Sequence, residues 1–183
     1  MKGLIILANG FEDTEALATI DVLKRSKLHI DKISLQDTLD IVSQYDLKIK
    51  ADFFLRDVNP NDYDFLVIPG GRAVSLVLDK SKELEKLISN FVSRKKLIAA
   101  ICAGPSQVGK LGYYQNEEYT CFPGTENKII GGKYLANQGV VRSTNFITAK
   151  AMAYSIEFGL EIVEHLQGKA QRDVVSHSVY GEL

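Results

Sequence analysis

Leu97-Ile98-Ala99-Ala100-Ile101-Cys102-Ala103-Gly104-Pro105 is the stretch that decides the fold. Five apolar residues run without interruption, and the sequence then breaks to a cysteine, two small residues and a proline. An unbroken apolar run of this length reads as a strand buried on both faces. Proline suits the first turn of a helix, where its missing N–H leaves nothing unpaired. The strand is therefore expected to pass directly into a helix near Pro105. Two other stretches have the same form: Gly3 to Ala8 ends in Asn9-Gly10, and Phe65 to Ile68 ends in Pro69-Gly70-Gly71.

Helical patterns lie between these runs. Asp13 or Thr14 is expected to cap a helix reaching about Lys27, with Leu17, Ile20 and Leu23 facing inward. Residues 82–93 space Leu84, Leu87, Ile88, Phe91 and Val92 as an amphipathic helix. Arg94, Lys95 and Lys96 follow as a solvated terminus whose charge complements the helix dipole. Residues 30–35 alternate as a strand, 39–55 read as one or two weaker extended segments, and 113–148 carry short extended pieces with glycine-rich turns. A last helix is expected over residues 149–167, with Met152, Ile156, Gly159, Leu160 and Val163 on one face and Gly168 as a left-handed terminator. The pattern assigns no place to the tail, residues 169–183. Strands that alternate with helices and are apolar throughout form a parallel sheet covered on both sides. The expected fold is α/β, doubly wound and flavodoxin-like, with a mostly parallel sheet and helices on both faces.

Composition narrows the function. The chain has 183 residues, 45% hydrophobic and 25% charged, which excludes a disordered protein and suits one domain over 1–183. A chain this long buries roughly 70% of its unfolded surface and needs neither disulfide nor metal for a core. Lys and Arg total 22 against 23 Asp and Glu, so neither nucleic acid nor an acidic membrane surface is the expected partner. The apolar start, Leu4 to Ala8, runs at once into Glu12, Asp13 and Glu15, too short and too acidic for a signal peptide. No run approaches a membrane span. With only two cysteines the expected setting is a reducing cytoplasm.

In a doubly wound sheet the ligand site lies beyond the carboxyl ends of the strands. Asn9 to Glu15, Pro69 to Gly71 and Cys102 to Pro105 should therefore share one rim. Cys102 sits on a strand-to-helix turn, the arrangement of a nucleophile elbow, and a helix amino terminus favours thiolate over thiol. The competing reading is an inert buried cysteine. Glu15 either complements the dipole of its own helix from the surface or points back toward Cys102, and Glu12 and Asp13 compete for that role. A carboxyl beside a thiolate would have a raised pKa and stay protonated. Gly70 and Gly71 either form a plain turn or bring N–H groups to a bound oxygen. Pro69-Gly70-Gly71 lacks the spacing of a dinucleotide or phosphate loop, so no cofactor is expected. His29, His165 and His177 read as surface histidines, and the cysteine spacing makes no zinc signature, so no metal is expected.

Gly10-Phe11-Glu12-Asp13-Thr14-Glu15-Ala16, Val67-Ile68-Pro69-Gly70-Gly71 and Ala100-Ile101-Cys102-Ala103-Gly104-Pro105 together resemble the DJ-1/ThiJ/PfpI superfamily, and within it the DJ-1 and YajL branch. The likeness runs through residues 156–163 and implies a flavodoxin-like homodimer. By resemblance Cys102 is the reactive thiolate, Glu15 its protonated partner, and the Gly71 and Ala103 N–H groups an oxyanion-type pocket. Members are described as oxidative-stress sensors, glutathione-independent glyoxalases, deglycases and chaperones, so small reactive carbonyls or peroxide are the implied partners. This chain departs from the pattern in three places. Ala103 replaces the histidine of the protease-like branch, which argues against peptidase activity. Phe122, within Thr120-Cys121-Phe122-Pro123, replaces the histidine of DJ-1. Ala151-Met152-Ala153-Tyr154 replaces a Gly-Pro-Gly-Thr segment of the pocket wall. Cys121 is either a resolving thiol for Cys102 or a core cysteine.

Overall fold

A computed structural model describes residues 1–182, with Leu183 of the tail outside the described residues. The chain runs β1 (Lys2–Leu7), α1 (Asp13–Arg25), β2 (His29–Ser34), β3 (Asp40–Val42), β4 (Lys48–Lys50), β5 (Phe53–Phe54) and β6 (Phe65–Ile68). It continues through α2 (Ala73–Leu76), α3 (Lys82–Ser93), β7 (Leu97–Ile101), α4 (Pro105–Gly109), β8 (Glu118–Tyr119) and β9 (Lys133–Tyr134). Then come β10 (Val140–Ser143), β11 (Phe146–Ala149), α5 (Ser155–Gln167) and α6 (Lys169–Tyr180).

The main sheet has the order β10-β11-β7-β6-β1-β2-β5, and only the edge pair β10–β11 is antiparallel. It is a flavodoxin-like α/β sheet. All three apolar runs identified from sequence are central strands, and β6 and β7 are buried along their whole length. Their register aligns Ile5 with Val67 and Val67 with Ala99, so β1, β6 and β7 end on the same rim. Helices α1, α5 and α6 pack together, and α3 and α4 form a separate group, α3 against β7. Gly159 permits the close approach of α5 to α1, because a Cβ there would lie 2.8 Å from Val22 Cβ.

The structure corrects several helix boundaries. Glu12, not Asp13 or Thr14, caps α1: its carboxylate accepts the Glu15 N–H at 2.7 Å. Leu17 is 38% exposed, and the inner face of α1 is Glu15, Ala16, Thr19, Val22 and Leu23. A spacing of three falls short of the 3.6-residue turn, so along 17, 20 and 23 the stripe rotates, with Leu23 fully buried, Ile20 half-buried and Leu17 exposed. The last long helix begins at Ser155, because residues 146–149 form β11 against β7. Met152 and Ile156 consequently stay exposed, while Gly159, Leu160 and Val163 are buried.

Gly168 has φ 87° and ψ 167°, which is not the left-handed helical conformation, and it joins α5 directly to α6. Through residue 182 the tail is therefore mostly helix. Arg94 and Lys96 are not simply solvated: Arg94 donates to the Pro60 and Asn61 carbonyls, and Lys96 pairs with Asp64 at 2.8 Å.

Candidate active site

Cys102 leaves β7 with φ 62°, a left-handed conformation that costs a non-glycine residue about 1–2 kcal/mol. The surroundings fix it there. Its N–H donates to the Ala149 carbonyl and its carbonyl accepts from Phe122 N–H, each at 2.8 Å. Gly104 makes the following turn possible: a Cβ at that position would lie 2.4 Å from the Ile68 carbonyl oxygen. The strand thus turns sharply into α4, whose first turn holds Pro105, and Cys102 stands half-buried at the rim.

Glu15 reaches the same point from the first turn of α1. It is 1% exposed, and its Oε2 accepts the Gly70 N–H at 2.8 Å. Its Oε1 is buried without a hydrogen-bonding partner among the described residues. The packing around Gly70 shows how closely the groups converge. A Cβ on that glycine would lie 2.7 Å from Glu15 Oε2, 2.8 Å from Cys102 Cβ and 3.0 Å from Ala103 N. Residue 70 must be glycine for Glu15 and Cys102 to meet.

Electrostatics couple the pair. Burial raises the Glu15 pKa to about 7, against the opposing pull of the neighbouring Cys102 thiol and the Gly70 N–H. Burial also pushes the Cys102 thiol up, and an ionised Glu15 pushes it further, while the N–H groups of Ala103 and Gly71 pull it down. Two negative charges are disfavoured at this spot. With Glu15 protonated the repulsion vanishes and its O–H becomes a donor to sulfur, so the two groups titrate as a pair.

A pocket of about 460 Å³ opens over Cys102. It is lined by Glu12, Glu15, Gly71, Cys102 and Ala103, by Gln44, Tyr45 and Arg72, and by Phe122, Ala151 and Met152. The Gly71 and Ala103 N–H groups act on the sulfur in the opposite sense to burial, pulling its pKa down. Gly70 differs from the reading that grouped it with them, because its N–H already holds Glu15. Glu12 is occupied as the cap of α1, and Asp13 accepts from Ser43 Oγ and Tyr45 N–H.

The remaining candidates lie away from the pocket. His29 contacts Asp31, and His177 faces Glu182. His165, on α5, is held below its ordinary pKa by burial. Cys121 is fully buried, which pushes its thiol pKa up, and it does not line the pocket. No group of three His, Cys, Asp or Glu side chains suited to a metal occurs among the described residues.

Sequence reasoning overlooked the part of the lining supplied by Gln44, Tyr45 and Arg72. The position of Arg72 directly after Gly70-Gly71 was the one available signal; the contribution of the β3–β4 turn depends on tertiary packing.

Fold and site together define a class: a doubly wound α/β protein with a cysteine elbow and a buried carboxyl beside it. The chain belongs to the DJ-1/PfpI family, whose sequence profile matches residues 1–165. It is 32% identical to Protein DJ-1 homolog B of Arabidopsis thaliana over 91% of this chain, and spans 38% of that plant protein. It is 31% identical to Protein dj-1beta of Drosophila melanogaster, over 92% of this chain and 90% of the relative. The crystal structure of Drosophila DJ-1beta superposes with a TM-score of 0.91 at 30% identity, covering 98% of this chain and 97% of that one. The structure of oxidized Toxoplasma gondii DJ-1 gives 0.89 at 28% identity, with the same coverage of each chain. The protein is DJ-1-like in both sequence and fold.

Proposed function

We propose that the protein converts small 2-oxoaldehydes to 2-hydroxy acids without glutathione, using Cys102 as nucleophile and Glu15 as proton shuttle. The observation that carries this reading is the buried, raised-pKa Glu15 carboxyl brought against Cys102 beneath an open pocket. With methylglyoxal, the Cys102 thiolate attacks the aldehyde carbon, and the carbonyl electrons move to an oxygen facing the Gly71 and Ala103 N–H groups. That oxygen takes the Glu15 proton, giving a hemithioacetal and leaving Glu15 ionised. Glu15 then removes the proton from the former aldehyde carbon and returns one to the neighbouring carbon through an enediol. The result is a 2-hydroxyacyl thioester, which water hydrolyses to lactate and free thiol. The sum is methylglyoxal plus water to lactate. The same thiol would act on early adducts of these aldehydes with protein amines, the deglycase reaction.

Glutathione-free methylglyoxal consumption with lactate detection tests the proposal. Native protein should produce lactate and Cys102→Ser should not. Lactate formation by Cys102→Ser would overturn the assignment.

A second reading has a specific observation behind it, the oxidized state of the Toxoplasma relative. In it, Cys102 thiolate takes one oxygen from each of two peroxide molecules, releasing two waters and ending as sulfinate, with Glu15 donating a hydrogen bond to a sulfinate oxygen. The protein would then act as an oxidative-stress sensor or redox-regulated chaperone.

The working unit in either reading is a homodimer in a reducing cytoplasm. Exposed Leu17 and Ile156 on the packed helices α1 and α5 and two free thiols support this, and sedimentation tests the stoichiometry. No helix among the described residues is long and apolar enough to cross a membrane.

A further inference from the structure

The pocket contains a positive charge that neither proposed reaction uses. Arg72 follows Gly71 directly, so its guanidinium is borne on the residue next to one of the N–H groups that act on the sulfur. Two hydrogen bonds clamp it to the β3–β4 turn: its backbone N–H donates to Gln44 Oε1 at 3.0 Å, and its Nη2 donates to the Gln44 carbonyl at 2.7 Å. Nε and Nη1 have no partner among the described residues.

The other arginines are occupied. Of the six in the chain, Arg25, Arg56, Arg142 and Arg172 pair with carboxylates, and Arg94 ties down backbone carbonyls. Arg72 has no carboxylate within 4.0 Å among the described residues, although Glu12 and Glu15 line the same pocket. Those two acids are committed elsewhere, Glu12 to the α1 cap and Glu15 to Gly70.

We infer that Arg72 is a specificity-determining residue that receives an anionic tail on the substrate, so that the favoured aldehydes and 2-oxoaldehydes carry a carboxylate or phosphate away from the reacting carbonyl. A planar guanidinium held through one N–H of Nη2 presents its remaining N–H groups as a fork that matches such an anion. Its charge also offsets the Glu12 carboxylate, which would otherwise repel an anion approaching Cys102. The inference rests on the reading of Cys102 as the reactive thiol.

Paired alkylating reagents that differ only in charge test it without requiring turnover. Iodoacetate and iodoacetamide react identically: the Cys102 thiolate forms the sulfur–carbon bond, iodide leaves, and the thiol proton goes to solvent. The measurement is the ratio of the iodoacetate rate to the iodoacetamide rate at Cys102, mapped by peptide mass spectrometry to separate it from Cys121. Arg72→Met should lower that ratio by about tenfold, as expected for loss of one charge in a partly solvated pocket. Arg72→Lys should restore most of it, and high salt should depress the native ratio, because a charge open to solvent is screened. The neutral reagent on the same variant separates a charge effect from a misfolded pocket. A ratio unchanged in Arg72→Met would overturn the inference alone. A Cys102 inert to both reagents in native protein would overturn the reactive-thiol reading and this inference with it.

Discussion

Replacing Glu15 with glutamine should stabilise the protein at neutral pH and leave it little changed in mild acid. The carboxyl is 1% exposed, and burial raises its pKa from 4.5 to about 7. In the unfolded chain the group loses its proton near its ordinary value, so between about pH 4.5 and 7 the folded state binds more protons than the unfolded state. Stability therefore falls as pH rises through this window, and it is fully retained only below it. A rise of about 2.5 pKa units corresponds to about 3 kcal/mol. Glutamine keeps the shape and still accepts the Gly70 N–H, but it has no charge to desolvate. The assay is urea unfolding of native protein and Glu15→Gln at pH 4.5 and 7.5. Comparing the two proteins cancels the contributions of other carboxyls, including Glu161, which burial also raises. The double difference should be about 3 kcal/mol in favour of Glu15→Gln at the higher pH, or roughly 6–12 °C in Tm. A double difference below about 1 kcal/mol would refute the claim that Glu15 is held neutral by burial.

Three further outcomes follow from the geometry. Gly70→Ala places a Cβ 2.7 Å from Glu15 Oε2 and 2.8 Å from Cys102 Cβ, so lactate formation should fall by about a hundredfold or more, measured as kcat/KM on folded protein. Cys102→Gly should be more stable than Cys102→Ala by about 1 kcal/mol in chemical unfolding, the reverse of the usual order, because φ is 62° at this position. Limited peroxide should add two oxygens to Cys102 before Cys121 reacts, since Cys121 is fully buried; peptide mass spectrometry reads the order, and prior oxidation of Cys121 would contradict it.

The features visible in the sequence were those that depend on neighbours along the chain. Gly3 to Ala8, Phe65 to Ile68 and Leu97 to Ile101 identify central strands because burial on both faces demands unbroken apolar residues, and their shared direction puts Glu15, Gly71 and Cys102 on one rim. Helix α6 was invisible for the converse reason. Among its residues Val175 alone is buried, so it has no apolar stripe; Arg172 joins it to Glu157 of α5, and Arg25 reaches Ser178. The helix expected from residue 149 starts only at Ser155, because Ala149 still belongs to β11 and the apolar Ala151 to Tyr154 form a short turn before it. Within the site, a cysteine after a buried strand signals an elbow. That Gly70 holds the carboxyl, or that Gln44 holds Arg72, depends on contacts across 55 and 28 positions of sequence that no local pattern encodes.

The most direct test of the Cys102–Glu15 pair is lactate formation from methylglyoxal in deuterium oxide by native protein and by Glu15→Gln. The account predicts that native protein turns over repeatedly and that its lactate carries solvent deuterium on the hydroxyl-bearing carbon, delivered by an exchanged Glu15. It predicts that Glu15→Gln, still able to form the thiol adduct, makes lactate about 10²–10⁴ times more slowly. Lactate formed by Glu15→Gln at the native rate would contradict the assignment of Glu15 as the proton shuttle.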